Sequence, residues 1–417
     1  MAEVLPFRAL HYELGSIDSL AEVTAPPYDV IDEAERAELM ARSPFNVVEL
    51  DLPISPDPGG DPYAHAAELL EGWLLSGVLA QDREPGIWAL TQDYTGPDGE
   101  SRRRTAILAR VRVTDYGPGQ VRPHERTQPG PKQDRLDLTR ATRYNLSPIF
   151  SLTTRNAWPH VEPVTAEAPW AEVTDSDGTV HRLWPIRDGA IHDAVTDELA
   201  SSELLIADGH HRYETARTYR DEIGGEGEHQ YTLMALTGLD DPGLTVFPTH
   251  RLLTDLDAEG LADLREGLAG AFDLIETGDD GLDPAGEDGT GCFGYADRSG
   301  ARLALRLRDP GALANLMPDR SNAYRTLDAA ILEKVVLEGM LGMSEADVEA
   351  KKGIAYSKTI EDALDQVATG GADAAFLLRA TPVDQVRAVA DAGETMPPKS
   401  TYFFPKLLSG MAFNPLA

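Results

Sequence analysis

A short apolar segment that runs through an Asp-Gly turn into a charged helix constrains this chain more than any other feature. Residues 204–207, all apolar, predict a buried strand, and a helix over residues 212–222 ends before two glycines. A glycine permits a sharp turn, and the first turn of a helix offers unpaired N–H groups at the positive end of its dipole. The residues between strand and helix therefore predict a phosphate site, made of Asp208, Gly209, His210, His211 and Arg212.

Two other interpretations of this turn stay open. Asp208 would cap the helix, Arg212 would pair with a carboxylate, and the two histidines would only pack. In a metal site, Asp208, His210 and His211 would be ligands. Adjacent histidines diverge by about 100° on a helix, however, and rarely meet one ion.

The net charge decides how such a site has to work. The formal charge of −33 repels nucleic acid and anionic membranes, so neither is expected as a partner. Any anionic ligand needs a local basic cluster, although a salt-adapted or GC-rich genome also accounts for acidic composition. No apolar run approaches the roughly 18 residues of a membrane helix, and the N-terminus does not resemble a signal peptide, so a cytoplasmic location is expected. Cys292 is the only cysteine, which excludes an internal disulfide.

A second candidate segment lies in a stretch rich in proline and glycine, residues 117–131, for which irregular structure is predicted. Basic residues gather there and just beyond it, and His124 and Glu125 are suited to act as acid, base or metal ligand. The alternative is a solvated loop with local salt bridges. The candidate residues are Arg122, His124, Glu125, Arg126, Lys132 and Arg135.

Two further segments carry weaker signals. Asp29 follows Pro26-Pro27-Tyr28 and is placed either as a base or magnesium ligand or as a turn residue. The tail over residues 396–407 is rich in aromatics, which predicts a strand that returns to a core. Its Lys399, Ser400 and Thr401 are candidates for ligand contact or for structural roles.

The order of elements predicts a mixed α/β (α+β) fold, because strands and helices alternate irregularly. Residues 86–94 and 102–113 predict a hairpin around Gly96-Pro97-Asp98-Gly99. An acidic, glycine-rich stretch over 255–284 predicts a domain division into residues 1–255 and 256–417. The predicted helices cover residues 32–43, 63–79, 136–144, 193–203, 212–222, 261–271, 327–341, 359–368 and 382–392, and further strands cover 149–152, 204–207, 231–239, 244–248 and 374–378.

Taken together, these segments resemble the signature blocks of the DUF1015 family, in family order and over nearly the whole chain. The blocks are Pro26-Pro27-Tyr28-Asp29-Val30, Arg122-Pro123-His124-Glu125-Arg126-Thr127, Ala207-Asp208-Gly209-His210-His211-Arg212-Tyr213, Pro248-Thr249-His250-Arg251 and Pro398-Lys399-Ser400-Thr401.

The turn at Asp208 also resembles the phosphate motif of the ParB/sulfiredoxin superfamily. This resemblance implies a ParB/sulfiredoxin-like nucleotide-binding core with large elaborations, and a second α+β part with a strand returning to the core. Sulfiredoxin's cysteine position is filled by Gly209 or His210, and no helix-turn-helix is found, so reductase and DNA-clamp activities are not expected. Among these members of the superfamily, the free-serine kinases have the turn, Asp-Gly-His-x-Arg, that is most similar to the turn at Asp208.

The resemblance thus implies an ATP-dependent small-molecule kinase that uses ATP (or ADP) and Mg²⁺, with L-serine or a similar hydroxyl acceptor. Asp29 or Glu125 would be the base or metal ligand, and Asp208 would orient the acceptor. The implied phosphate-binding residues are Gly209, His210, His211 and Arg212, joined by Arg122, His124 and Arg126. A phosphohydrolase, possibly metal-dependent, and a ParB-like nucleotide-binding regulatory protein remain alternatives.

Overall fold

The computed structural model describes residues 2–96, 99–125 and 129–417, apart from the side chains of Pro129 and Glu349. The predicted ligand residue Arg126 lies outside this range. So do Pro97 and Asp98 of the predicted hairpin turn. Among the described helices, none combines the length and the apolar character needed to cross a bilayer.

The strands are short, and most lie in two separate sheets. The first twelve are β1 (Val4–Leu5), β2 (Leu10–Tyr12), β3 (Leu79–Gln81), β4 (Ile87–Thr95), β5 (Ser101–Arg112), β6 (Val121–Arg122), β7 (Tyr144–Asn145), β8 (Ile149–Thr153), β9 (Ala171–Thr174), β10 (Val180–Ile186), β11 (Leu204–Asp208) and β12 (Tyr231–Gly238). The others are β13 (Thr245–Phe247), β14 (His250–Leu253), β15 (Phe272–Glu276), β16 (Cys292–Asp297), β17 (Arg302–Leu307), β18 (Ile354–Ser357), β19 (Ala374–Leu377), β20 (Tyr402–Phe404) and β21 (Asn414–Pro415).

The helices vary from single turns to fourteen residues. They are α1 (Leu20–Val23), α2 (Glu33–Arg42), α3 (Val48–Asp51), α4 (Pro62–Leu75), α5 (Pro129–Thr142), α6 (Trp158–Val161), α7 (Gly189–Leu199), α8 (His210–Ile223), α9 (Ala258–Ala271), α10 (Leu313–Leu316), α11 (Asn322–Arg325), α12 (Asp328–Ile331), α13 (Glu345–Glu349), α14 (Ile360–Thr369) and α15 (Val383–Asp391). With one sheet of mixed direction and one antiparallel sheet beside these helices, the predicted mixed α/β fold is confirmed.

The chain forms two compact units. The first contains the described residues up to Pro123, those from Pro129 to Thr245, and the tail from Pro405 to Ala417. The second contains His124, Glu125 and Val246–Phe404. The predicted division after residue 255 differs from this arrangement, because β14 belongs to the second unit and the C-terminal tail to the first.

A nine-stranded sheet organises the first unit, in the order β6-β11-β8-β12-β5-β4-β10-β9, with β1 beside β5. Strands β8 and β12 are parallel, as are β6 and β11, and the other neighbours are antiparallel. The predicted hairpin is confirmed as the β4–β5 pair, whose register ends at Thr95 opposite Ser101. The apolar face of the sheet packs on α7 and α8 through residues such as Val195 and Tyr213.

The second unit has a six-stranded sheet in the order β15-β17-β16-β19-β14-β18, with antiparallel neighbours throughout. Strands β15 to β18 were not predicted. The connection between β15 and β16, residues 277–291, is acidic and rich in glycine, and this composition hid the short strands beside it. Helix α14 packs on this sheet through Ala363 and Val367.

Several helix limits differ from the prediction for local reasons. Helix α2 has the predicted cap, since the Asp32 side chain accepts the Glu35 N–H at 2.8 Å. Helix α5 begins at Pro129 rather than near residue 136, because prolines fit the first turn of a helix, where N–H groups have no partner. The predicted helix over 327–341 is only four residues of α-helix, followed by a π-helix over Leu332–Glu338.

Candidate functional site

The Asp-Gly turn forms as a tight junction between β11 and α8. Gly209 has a φ of 95°, in the left-handed region that favours glycine, and it is the N-cap of α8. The N-cap residue Gly209 has no side chain, and the Asp208 carboxylate contacts Arg212 and Lys406, so Asp208 is not the capping residue. A Cβ at position 209 would lie 2.9 Å from Nε of Arg212. Both the backbone and the available space therefore require glycine here.

Arg212 folds back over this glycine and binds the neighbouring chain. Its Nη1 donates to the carbonyl oxygen of Pro148 and to Oγ of Ser147 at 3.3 Å, and its Nη2 donates to Oδ2 of Asp208 at 3.3 Å. Nε is buried and has no hydrogen-bond partner among the described residues. Nη1 and Nη2 thus hold the turn, and the guanidinium places positive charge beside Gly209.

Asp208 lies between cations. Its Oδ1 is 3.4 Å from Nζ of Lys406, on the opposite side from Arg212. Burial alone would raise the pKa of this carboxyl, but the charges of Lys406, Arg212 and His210 outweigh burial and hold the pKa well below its usual range. Asp208 is therefore ionised at neutral pH and has little affinity for a proton, which suits a positioning role better than that of a base.

Arg104 is a charged residue of this region that the sequence analysis missed. It lies on β5 and is fully buried, with its guanidinium 4.3 Å from the centre of the Phe150 ring. Its Nε donates to Oε1 of Gln92 at 3.0 Å and its Nη2 to the carbonyl oxygen of Pro405 at 2.5 Å. Nη1 has no hydrogen-bond partner in the described part of the chain, and no carboxylate there forms an ion pair with Arg104.

Burial lowers the pKa of Arg104 to about 10, against the opposing charges of Tyr94, Asp241 and Asp208. At neutral pH the side chain is still a cation. The period-two pattern of β5 could have revealed it, because Arg104 shares a face with the buried Ala106 and Leu108. We call Arg104, Asp208, His210, Arg212 and Lys406 the Asp208 cluster.

The segment with Asp29 also belongs to the first unit. Tyr28–Val30 is a 3-10 helix, and the Tyr28 ring lies 4.2 Å from the guanidinium of Arg135 on α5. Burial raises the pKa of Tyr28, and Arg135 and Arg212 act in the opposite direction, which places Tyr28 within electrostatic reach of Arg212. Asp29 itself is exposed. The structure thus brings the Pro-Pro-Tyr-Asp segment towards the Asp208 cluster.

Arg122 has a structural contact in the same unit. Its Nε donates to Oε1 of Glu203 at 2.5 Å, and Glu203 also accepts the Gly119 N–H at 2.8 Å. The predicted role of Arg122 in ligand binding stays a prediction, and these contacts tie the loop before it to β11.

His124 and Glu125 belong to the second unit, where they meet the tail segment. The imidazole Nε2 of His124 lies 2.8 Å from Oγ1 of Thr401, and Oε1 of Glu125 accepts the N–H of Lys399 at 2.9 Å. Lys399 has a φ of 56°, which is rare for a residue with a side chain. Glu125 therefore stabilises a strained loop.

Arg251 completes this second group. Its Nη1 donates to the carbonyl oxygen of Thr249 at 2.5 Å and its Nη2 to that of Pro398 at 3.2 Å. Burial lowers the pKa of Arg251, against the charges of Tyr356, Glu333 and Glu125. We call His124, Glu125, Arg251, Lys399 and Thr401 the His124 cluster.

The predicted site residues that the structure describes are therefore divided between the two units, with His124 and Glu125 in the second and the others in the first. A cavity of about 40 Å³ lies beside Arg212, between α5 and α8, and has room for about three water molecules. It is too small for a nucleotide. Within residues 2–96, 99–125 and 129–417, no group of three or more His, Cys, Asp or Glu side chains could hold a metal ion.

Comparisons with known proteins give a family and several distant structures. The sequence matches the family described as "Protein of unknown function (DUF1015)" over residues 4–330. No curated protein matches the chain.

Among solved structures, a conserved hypothetical protein from Pyrococcus furiosus is 15% identical, with 69% of this chain and 88% of that chain covered, at a TM-score of 0.36. A mutant of a free serine kinase in complex with ADP is 14% identical, with 71% of this chain and 88% of that chain covered, at a TM-score of 0.39. SbnI with a C-terminal truncation, from Staphylococcus aureus, is 10% identical, with 72% and 85% covered, at 0.37. These TM-scores are low, and the likenesses carry no argument about activity.

Proposed function

We propose a function from the residues of the Asp208 cluster, because the chain belongs to the DUF1015 family, whose description assigns none. The proposed protein is an ATP-dependent small-molecule kinase whose acceptor is free L-serine or a similar hydroxyl compound. Its phosphate-binding residues are Gly209, His210, His211 and Arg212.

The observation that carries this proposal is the concentration of positive charge at one end of α8. Arg104, Arg212 and Lys406 act electrostatically with Asp208 in a chain whose formal charge is −33. The N-cap residue of α8 is a glycine, and the helix dipole adds to the same field. Such an arrangement favours a multiply charged anion, and the Asp-Gly-His-x-Arg turn resembles that of free-serine kinases.

Phosphoryl transfer asks the protein chiefly to position the reactants and to neutralise charge. The acceptor oxygen forms a bond to the γ-phosphorus of ATP, and the bond from that phosphorus to the β–γ bridging oxygen breaks, which releases ADP. The hydroxyl proton passes to a carboxylate. Asp29 is the favoured base because it is exposed, whereas Asp208 is held by cations and Glu125 accepts the Lys399 N–H.

Mg²⁺ is a proposed cofactor that enters with the nucleotide. Mg²⁺ usually keeps several waters and binds through one or two carboxylates and the substrate phosphates, so it does not require a cage of protein ligands. The phosphates of ATP would supply most of its protein-independent ligands, and Mg²⁺ would neutralise phosphate charge there.

The test is turnover with ATP, Mg²⁺ and a panel of hydroxylated amino acids, in which ADP and the phosphorylated acceptor are measured together. We expect phosphoserine to form in equal amount to ADP. ADP release that is the same with and without every acceptor would exclude the kinase and leave hydrolysis.

Two glycine variants control for general damage. Gly209 and Gly225 both have positive φ, at 95° and 70°, but only a Cβ at 209 meets another side chain. Gly209→Ala should lose ATP binding because it displaces Arg212, whereas Gly225→Ala should lose only stability. Equal ATP binding by both variants would argue against a site at this turn.

A further inference from the structure

The C-terminal tail delivers a lysine to the Asp208 cluster. Lys406 is mostly buried, with its side chain 16% exposed, and its Nζ lies 3.4 Å from Oδ1 of Asp208. A partly buried ammonium thus lies beside a carboxylate that also contacts Arg212. Lys406 therefore adds positive charge to the cluster.

The backbone around Lys406 is held by buried side chains of two central strands. Nε2 of Gln92 donates to the carbonyl oxygen of Lys406 at 3.0 Å, and Nη2 of Arg104 donates to that of Pro405 at 2.5 Å. Gln92 and Arg104 also bind each other through Oε1 of Gln92. Both side chains are buried, and each donates a hydrogen bond to a backbone carbonyl of the tail.

Further along, the tail is tied to the first unit by backbone hydrogen bonds. The N–H of Phe413 donates to the carbonyl of Leu10 at 2.8 Å, and the N–H of Ser409 donates to that of Ala25 at 2.8 Å. Lys406 therefore has a well-defined backbone position from which a flexible four-carbon side chain can move its charge.

The buried charge of Arg104 is a second, independent observation. A buried guanidinium is normally paired with a carboxylate, because an isolated buried charge is costly. Arg104 has no such pair among the described residues, and its Nη1 has no hydrogen-bond partner there. Gln92, Pro405 and the Phe150 ring supply only neutral contacts. Among the described residues, Arg104 is thus a buried cation that no carboxylate contacts directly.

We propose that Lys406 contacts the phosphoryl groups of the nucleotide, and that Arg104 and Gln92 are positioning residues that hold Lys406 in place. This inference rests on the proposed function. Asp208 keeps the ammonium beside the turn, and the ammonium moves to the phosphate oxygens when ATP binds. As negative charge shifts to the β–γ bridging oxygen during transfer, a point charge there stabilises the departing ADP.

The first test removes the charge of Lys406 and compares it with a matched lysine. Lys352 in the second unit lies 3.2 Å from Asp347, so Lys352→Met also breaks a lysine–aspartate pair and changes the net charge equally. ATP and adenosine affinities are measured by calorimetry for the parent and both variants. We expect Lys406→Met to weaken ATP binding about tenfold or more, on the scale of charged hydrogen bonds, with adenosine unchanged. Lys352→Met should match the parent.

The outcomes separate this inference from the proposed function. If the parent binds ATP and Lys406→Met binds it equally well, the role of Lys406 is excluded and the kinase proposal stands. If the parent binds neither ATP nor ADP, the proposed function fails, and the role of Lys406 with it. Loss of both ATP and adenosine binding in Lys406→Met would indicate general disruption and would also count against a phosphate contact.

The second test asks whether Arg104 acts through Lys406. Arg104→Lys keeps the charge but loses the fork that reaches Gln92 and Pro405. In a double-mutant cycle, Arg104→Lys alone should weaken ATP binding relative to the parent. The same change added to Lys406→Met should weaken ATP binding no further. A purely structural role would give the same loss in both backgrounds, and that result would overturn the positioning role.

Discussion

The Asp208 cluster and the His124 cluster contain similar residues but differ in the groups that these residues contact. In the His124 cluster the polar side chains meet backbone groups or a hydroxyl, as when Glu125 accepts the Lys399 N–H. In the Asp208 cluster, several cations act on one carboxylate, and Arg104 has no carboxylate partner within the described residues. The Asp208 cluster therefore has positive charge that can bind a ligand, whereas the side chains of the His124 cluster use their hydrogen bonds to hold loops.

One arginine from each cluster makes the contrast concrete. Arg212 and Arg251 both donate through Nη1 to a backbone carbonyl. Arg251 has both of its terminal nitrogens on carbonyl oxygens, so its role is complete within the second unit. Arg212 lies instead over Gly209, at the N-terminus of α8, and its buried Nε has no hydrogen-bond partner within the described residues.

The largest effect is expected for the carboxylates. Asp29→Asn should lower turnover by about 10²–10⁴-fold with ATP binding retained, because a general base contributes on that scale. The matched change Glu125→Gln keeps an oxygen that can accept the Lys399 N–H, so turnover should stay near that of the parent. Steady-state kinetics with each variant decides. The reverse pattern would move the base into the second unit.

Acid should affect the two units in different pH ranges. Burial, aided by Arg251, lowers the pKa of His250 from 6.5 to about 4, and its Nδ1 accepts the Leu378 N–H at 3.1 Å. Between those values the unfolded chain binds a proton that the folded chain does not. Stability is therefore lost as the pH falls from 6.5 towards 4, by at most about 3 kcal/mol.

Asp208 changes the stability in the same direction as His250 but in a lower pH range. Its folded pKa is depressed, so its contribution is present above the unfolded value of about 3.9 and is lost only as the pH falls below it. His250→Asn, whose oxygen can accept the Leu378 N–H, should flatten the loss between pH 6.5 and 4 in urea unfolding. An unchanged pH profile in this variant would show that His250 does not control the second unit's acid sensitivity.

Lysine substitutions test the contrast between the two arginines. Arg212→Lys and Arg251→Lys each keep the charge and lose a buried fork, which should cost about 1–2 kcal/mol of unfolding free energy in both. Only Arg212→Lys should also lose ATP affinity, by about 1–3 kcal/mol, with adenosine unaffected. Calorimetry and thermal unfolding separate the two effects. Equal ATP affinity in both variants would reduce Arg212 to a structural residue.

The smallest effect is expected at Arg122. Its ion pair with Glu203 holds a loop, so Arg122→Gln should change the free energy of unfolding by about 0–1 kcal/mol and ATP affinity by less than about twofold. A filter-binding assay with ATP is sufficient. A large loss of ATP affinity would indicate that Arg122 contacts the nucleotide. The binding region in the first unit would then extend beyond the Asp208 cluster.

Local signals in the sequence were strong enough to predict much of the fold. The strand-turn-helix at Asp208 was predicted to within two residues, since an apolar run, a glycine and a polar helix leave little choice. The β4–β5 hairpin and the Asp32 cap of α2 follow from similarly short patterns. Strands β15 to β18, which were not predicted, carry weaker patterns, and their sheet is built from long-range pairs.

The sequence by itself determined which residues stand at the turn, because Gly209, Asp208 and Arg212 act within one helical turn of each other. Only the tertiary structure decided which charges surround that turn. Arg104 and Pro405 are 301 residues apart in the chain, and they meet because the tail returns to the strands of the first unit. Local periodicity does not encode such a contact. For the same reason His124 and Glu125, close in sequence to Arg122, belong to the other unit: their partners lie in the tail before Phe404.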